Sequence, residues 1–349
     1  MANLIKNTAY FIIIIKKIGM SKAFKILAID GGGIKGLYSS TIIEHLEKEF
    51  QVKITDYFDM ICGTSTGGLI SLALSLGISA NEITKLYTQM GEKIFPQKSK
   101  LVQMFRQYVY KGKYSDKPLE GILRNLFGNR TIGESKNLLC IPSYSITDGR
   151  NFVIKYDHLD GNLGRDNSMS YVDAALATSA APTYFPVCQL AYYNDKQLID
   201  GGVWANNPSL VGLIEAIRFF VGKNREYDSI EILSISSLKK NKTVKPFSKR
   251  HKSILNWNSQ LFDVFSNSQE QFIHYFLTEL HKHEDIKVKY VRVESEPVFA
   301  NEEDLIEMDL VSEKSIKLLV QKGNDAGYKA RREPSVIMFF KSKKSYIIN

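Results

Sequence analysis

Two short stretches hold residues whose types and spacing could do chemistry. Gly63-Thr64-Ser65-Thr66-Gly67 fits G-x-S-x-G, the elbow in which a serine sits on a sharp strand-to-helix turn and the glycines Gly63 and Gly67 relieve the crowding around it. A serine hydroxyl is a poor nucleophile until a base takes its proton, so the pattern asks for a partner. His251, His274, His281 and His283 come late enough in the chain to be considered. His251 lies inside a basic run, and the other three fall on a charged helix where solvated surface histidines are expected. The alternative partner is Asp200 in IDGGVWANNP, residues 199–208, which ends a strand and is followed by two glycines and an Asn-Asn-Pro turn. A carboxylate near its ordinary pKa of about 3.9 is a weak base, but burial beside an apolar pocket raises it into a useful range. Ser65 and Asp200 would then suffice as a two-residue machine. The plainer alternatives are an incidental serine in a tight turn and an Asp-Gly turn between strands.

A third stretch, AIDGGGIKGL at residues 28–37, puts three glycines behind an aspartate. Bare backbone N–H groups ahead of a helix can receive the oxyanion of a tetrahedral intermediate, which makes Gly31, Gly32, Gly33, Ile34 and Lys35 candidates for an oxyanion hole. The rival is a dinucleotide site, because Gly31, Gly33 and Gly36 also satisfy G-x-G-x-x-G after a strand. Asp30 tells against it, since a carboxylate there would crowd an anionic pyrophosphate. Asp30 is instead expected to brace the loop, and Lys35 suits either anion.

These residues need elements to position them. Residues 25–30 are an apolar run that stops at the glycines, after which Leu37, Ile42, Ile43, Leu46 and Phe50 recur at helical spacing. Residues 56–63 read as a buried strand, followed by the serine turn and an apolar helix. Two strand–turn–helix units in succession imply a parallel sheet with helices on its faces. Further strands are expected at 137–146, 151–156, 196–200, 230–236 and 286–293, a helix at about 171–179, and mostly helix after residue 256. Residues 98–117 are dense in basic and aromatic side chains, and residues 232–262 contain no acidic residue.

With 349 residues, of which 44% are hydrophobic, the chain can bury a large core. Three scattered cysteines encourage neither a disulfide framework nor a zinc site, which fits a reducing cytoplasm. A formal charge of +9 favours contact with a polyanion or anionic lipid and equally describes a well-solvated basic surface. The apolar run at residues 9–15 is far shorter than the roughly 20 residues of a membrane-spanning helix, and the Lys16-Lys17 pair after it does not read as a signal-peptide cleavage site. Met20 offers an alternative start, and a short amphipathic anchor is the other reading of these first residues.

Taken in order, DGGGIKG (30–36), GTSTG (63–67), ATSAAPTYFP (177–186) and DGGVWANNP (200–208) resemble the patatin-like phospholipase family over residues 24–240. The resemblance implies a patatin fold, a modified α/β-hydrolase in three α/β/α layers around a mainly parallel sheet. It implies a Ser65/Asp200 dyad with no catalytic histidine, an oxyanion hole in the glycine loop, and hydrolysis of phospholipid acyl esters without a metal or other cofactor. Many members carry arginine where this chain has Lys35, which keeps the charge and loses the two-pronged fork. The chain also resembles bacterial patatin-like effectors of cyclic-oligonucleotide anti-phage signalling. That implies a cyclic-nucleotide activator, with residues 98–117 and 239–252 as the places to look for an anion or a lipid surface. The domain reading is an N-terminal extension (1–23), a catalytic domain (24–240), and a basic loop with a mostly helical C-terminal region packed on the same domain (241–349). The expected setting is the cytoplasm, acting peripherally on the inner face of the membrane. A homo-oligomer stays open and no stable nucleic-acid partner is expected.

Overall fold

The computed structural model describes residues 22–96, 113–240, 254–283 and 287–348, with backbone alone at 254–261. Residues 9–15, Met20, His251 and most of the basic stretches 98–117 and 239–252 lie outside the described residues.

Strand β1 (Ala23–Ile29) is buried along nearly its whole length, as a central strand covered on both faces must be. It pairs in parallel with β2 (Met60–Gly63) on one side and β7 (Ser229–Ile235) on the other. Beyond β7 comes β8 (Val288–Val293), and beyond β2 comes β3 (Leu138–Ser145), both parallel. Antiparallel pairing then joins β3 to β4 (Arg150–Lys155), β3 to β6 (Lys196–Asp200), and β6 to β5 (Cys188–Leu190). The described strands thus form one mixed, mostly parallel sheet in the order β5-β6-β3-β2-β1-β7-β8.

Helices cover both faces. Helix α1 (Gly36–Phe50) leaves β1 through the glycine turn and buries Leu37, Ile42, Ile43 and Leu46. Helix α2 (Thr66–Ser75) leaves β2 through the serine turn and is buried almost all round. Around these lie α3 (Ala80–Ile94), α4 (Lys117–Phe127), α5 (Tyr171–Ser179) and α6 (Ser209–Phe219). The long α7 (Ile254–His281) runs beside β8, and α8 (Glu313–Ala330) packs along α1. Among the described residues no helix is long and apolar enough to cross a membrane.

One expected strand is shorter than its sequence suggests. Of residues 56–63 only Met60–Gly63 are extended, and Ile54–Asp56 form a 3-10 turn. The reason is Asp59, which is buried and accepts hydrogen bonds from the N–H groups of Lys25 at 2.7 Å, Ser345 at 2.9 Å and Tyr346 at 2.7 Å. Its neighbour Phe58 stacks against Phe339. Asp59 therefore ties the strand entrance to the C-terminal segment.

Candidate active site

The two glycine-flanked turns stand side by side at the carboxyl ends of β1 and β2, where open α/β sheets place their sites. Ser65 joins β2 to α2 with φ 54° and ψ −123°, a conformation that non-glycine residues seldom adopt. Such a backbone is held only by its surroundings, at a cost of about 1–3 kcal/mol. The surroundings here are close: a Cβ at Gly63 would overlap the Gly67 carbonyl, and one at Gly67 would overlap the Ile29 carbonyl.

All four sequence motifs meet at this point through hydrogen bonds. The Ser65 N–H donates to Thr178 Oγ1 at 3.0 Å, and Thr178 Oγ1 donates onward to the Pro142 carbonyl at 2.6 Å. Thr64 Oγ1 donates to the Ala205 carbonyl at 2.6 Å. The Asp200 N–H donates to the Ala180 carbonyl at 3.0 Å, and the Gly31 N–H to the Asn206 carbonyl at 3.1 Å.

Asp200 ends β6 with its side chain wholly buried. Its Oδ1 accepts the Gly202 N–H at 2.7 Å, while Oδ2 has no hydrogen-bond partner among the described residues. Burial pushes the carboxyl up to about 7, with the Ser65 hydroxyl beside it and the Gly202 N–H acting the other way. The Ser65 hydroxyl therefore lies close enough to favour the carboxylate without a hydrogen bond of standard geometry, a looseness common before substrate binds. A buried base near neutrality beside a strained serine is suited to proton abstraction.

The glycine loop crosses directly over Ser65, since a Cβ on Gly31 would lie 3.3 Å from that of Ser65. Only part of the five-residue loop has N–H groups to offer. Gly31 donates to Asn206, Ile34 donates to the Met308 carbonyl at 2.8 Å, and Lys35 donates to the Gly32 carbonyl at 3.2 Å. These three N–H groups hold the loop's shape. Gly32 and Gly33 are left, with no acceptor among the described residues. Gly33 has φ +60° and a Cβ there would overlap the Met308 carbonyl, so the loop needs glycine at this point.

Asp30 braces the loop from beneath through Arg292, a residue the sequence reading passed over. Burial pushes the carboxyls of Asp30 and its neighbour Glu270 up and the Arg292 guanidinium pulls them down. Glu270 ends below its ordinary value and Asp30 above its own. Lys35 is half-buried, with its ammonium disfavoured by burial and supported by the charges of Asp263 and Glu270.

No described histidine is bonded to Ser65 or Asp200. His274 pairs with Glu294 and Tyr290, and His281 with the Val288 carbonyl. Among the described residues no group of His, Cys, Asp or Glu side chains is placed to hold a metal ion. Ser65 and Gly33 open instead onto a pocket of about 490 Å³, counted to its open mouth and walled by Leu69, Ile94, Phe95, Leu119, Tyr184 and Phe185. The wall is apolar, and the polar groups converge at Ser65. That is the shape of a site for a long hydrocarbon chain with a reactive carbonyl at one end.

Comparison with known proteins gives the same picture. The family model described as Patatin-like phospholipase matches residues 27–211. A "cGAMP-activated phospholipase" of Pseudomonas aeruginosa is 30% identical over 312 residues, covering 89% of this chain and 90% of its own. A protein of the same description from Vibrio cholerae is 32% identical over 244 residues, covering 66% of this chain and 68% of its own. "Patatin-like protein 1" of Arabidopsis thaliana is 28% identical over 335 residues, covering 85% and 80%.

Proposed function

This chain belongs to the patatin-like phospholipase family, and from that premise we propose that it hydrolyses acyl esters of membrane phospholipids with Ser65 as nucleophile and Asp200 as base. Ser65 Oγ forms a bond to the acyl carbon as its proton passes to Asp200, and the carbonyl electron pair moves onto oxygen. The N–H groups of Gly32 and Gly33 stabilise that oxyanion. Collapse of the intermediate expels the lysolipid oxygen, which takes the proton from Asp200 and leaves an acyl ester on Ser65. A water molecule then gives its proton to Asp200 and adds to the acyl carbon. The second intermediate releases the fatty acid and returns the proton to Ser65.

The observation that carries this reading is the buried, unpartnered Oδ2 of Asp200 beside a strained Ser65 at the base of an apolar pocket. The catalytic unit is residues 24–240, on which the C-terminal residues pack. The relatives described as cGAMP-activated support a cyclic dinucleotide as the activator of this chain too, and the charge of +9 supports peripheral action on the anionic inner face of the membrane. Purified protein mixed with phosphatidylglycerol vesicles is expected to release free fatty acid, and cGAMP to raise the rate. No fatty acid with or without cGAMP would refute the substrate class. An equal rate in both would refute the activator.

A further inference from the structure

The glycine loop is tethered at Asp30, and its tether is ionic and fully interior. Arg292 on β8 faces both carboxylate oxygens: Nη1 donates to Oδ1 at 3.4 Å and Nη2 donates to Oδ2. The same guanidinium donates to Glu270 on α7 and to Ser234 Oγ on β7. Glu270 also pairs with Lys239, just beyond β7. The side chains of Asp30, Glu270 and Arg292 are each no more than 2% exposed. Such a cluster is a weak means of stabilising a fold, because desolvating the charges offsets most of what their pairing returns. What it does supply is direction, since a planar guanidinium fixes the carboxylates it bridges in one geometry.

Helix α7 reaches the other half of the site as well. Ser266 Oγ donates to the Gly202 carbonyl at 3.3 Å, Gln269 Nε2 donates to the Val203 carbonyl, and the Phe262 ring packs on Gly202. One helix therefore holds the turn after Asp200 directly and the glycine loop through Glu270, Arg292 and Asp30.

We infer that Arg292 is a positioning residue, which by bridging Asp30 to Glu270 sets the Gly32 and Gly33 N–H groups at their working distance from Ser65 and Asp200. This rests on the reading that Ser65 attacks and the glycine loop receives the oxyanion. Arg292 itself touches no substrate, so its loss falls on transition-state stabilisation rather than on substrate binding. Displacing a catalytic group by about 1 Å costs on the order of 10²-fold.

The test is the hydrolysis of a soluble p-nitrophenyl acyl ester, with cGAMP present and kcat expressed per site titrated by a fluorophosphonate, so that unfolded protein is not counted. Arg292→Lys keeps the charge and loses the fork. Since Arg292→Gln alone strands the buried Asp30 carboxyl and endangers folding, while Glu270 keeps Lys239, Arg292→Gln with Asp30→Asn provides a charge-balanced second variant. The expected result is kcat down about 10- to 100-fold for Arg292→Lys and at least about 100-fold for the double variant, with KM changed less than about threefold in both. Folded variants with kcat within twofold of the parent, or a loss confined to KM, would overturn the inference. Ser65→Ala run in parallel separates the two layers. If Ser65→Ala is as active as the parent, the underlying reading fails. If Ser65→Ala is inactive and both Arg292 variants match the parent, the positioning role alone fails.

Discussion

Replacing Asp200 by asparagine should make the protein inactive and, above neutral pH, more stable. Burial lifts the Asp200 carboxyl from its ordinary 3.8 to about 7, so between those values the folded chain holds a proton that the unfolded chain has released. The sign is therefore opposite to that of a salt-bridged aspartate: stability is fullest below the unfolded pKa and falls as pH rises through about 4 to about 7. At about 1.36 kcal/mol per pH unit, the penalty is on the order of 2 kcal/mol at pH 5 and about 4 kcal/mol at pH 8.5. The amide introduced by Asp200→Asn still offers an oxygen to the Gly202 N–H, but it places an NH2 where Oδ2 has no partner, at a cost of about 1–3 kcal/mol that does not vary with pH. The absolute change thus depends on how the amide is accommodated, and its pH dependence does not. Denaturant unfolding of parent and Asp200→Asn should show the variant gaining about 2–3 kcal/mol relative to the parent between pH 5 and pH 8.5. Activity should fall about 10²- to 10⁴-fold over the same range. A stability difference identical at both pH values, or one that turns against the variant as pH rises, would refute a buried carboxyl titrating near neutrality.

The remaining expectations concern the same site. Because Asp200 must be unprotonated to accept the Ser65 proton, kcat/KM should rise about tenfold per pH unit below about 7 and level off above it; a profile flat from pH 5 to 8 would remove Asp200 as the base. Gly33→Ala requires a side chain at φ +60° against the Met308 carbonyl and should lower kcat about 10²- to 10³-fold with little change in KM, read by steady-state kinetics. Thr178→Val leaves the Ser65 N–H without its acceptor and should cost about 1–3 kcal/mol of stability in a denaturant melt, with Thr178→Ser restoring most of it.

The nucleophile turn, the aspartate turn and the glycine loop were legible in the sequence because each is a local requirement: a positive φ or a close backbone approach admits few residues, and glycine marks the place. The strands and helices around them followed from apolar runs and helical spacing for the same reason. What the sequence hid was set by partners distant along the chain. Arg292 sits in an apolar strand as an ordinary-looking charge, and its partner Asp30 lies 262 positions away. A lone arginine inside VKYVRV was the available signal. Which loop N–H groups stay open could not be read either, because Gly31 and Ile34 are engaged by the carbonyls of Asn206 and Met308. The strand expected at residues 56–63 was overstated because Tyr57 and Phe58 are β-prone, while Asp59 binds three N–H groups and ends the extension there.

Fluorophosphonate labelling followed by peptide mapping tests the central claim most directly. With phosphatidylglycerol vesicles and cGAMP present, the adduct should fall on the peptide bearing Ser65, disappear in Ser65→Ala, and be strongly slowed in Asp200→Asn. An adduct on a different serine, or fatty-acid release by Ser65→Ala at the parent rate, would contradict the assignment of Ser65 as the nucleophile.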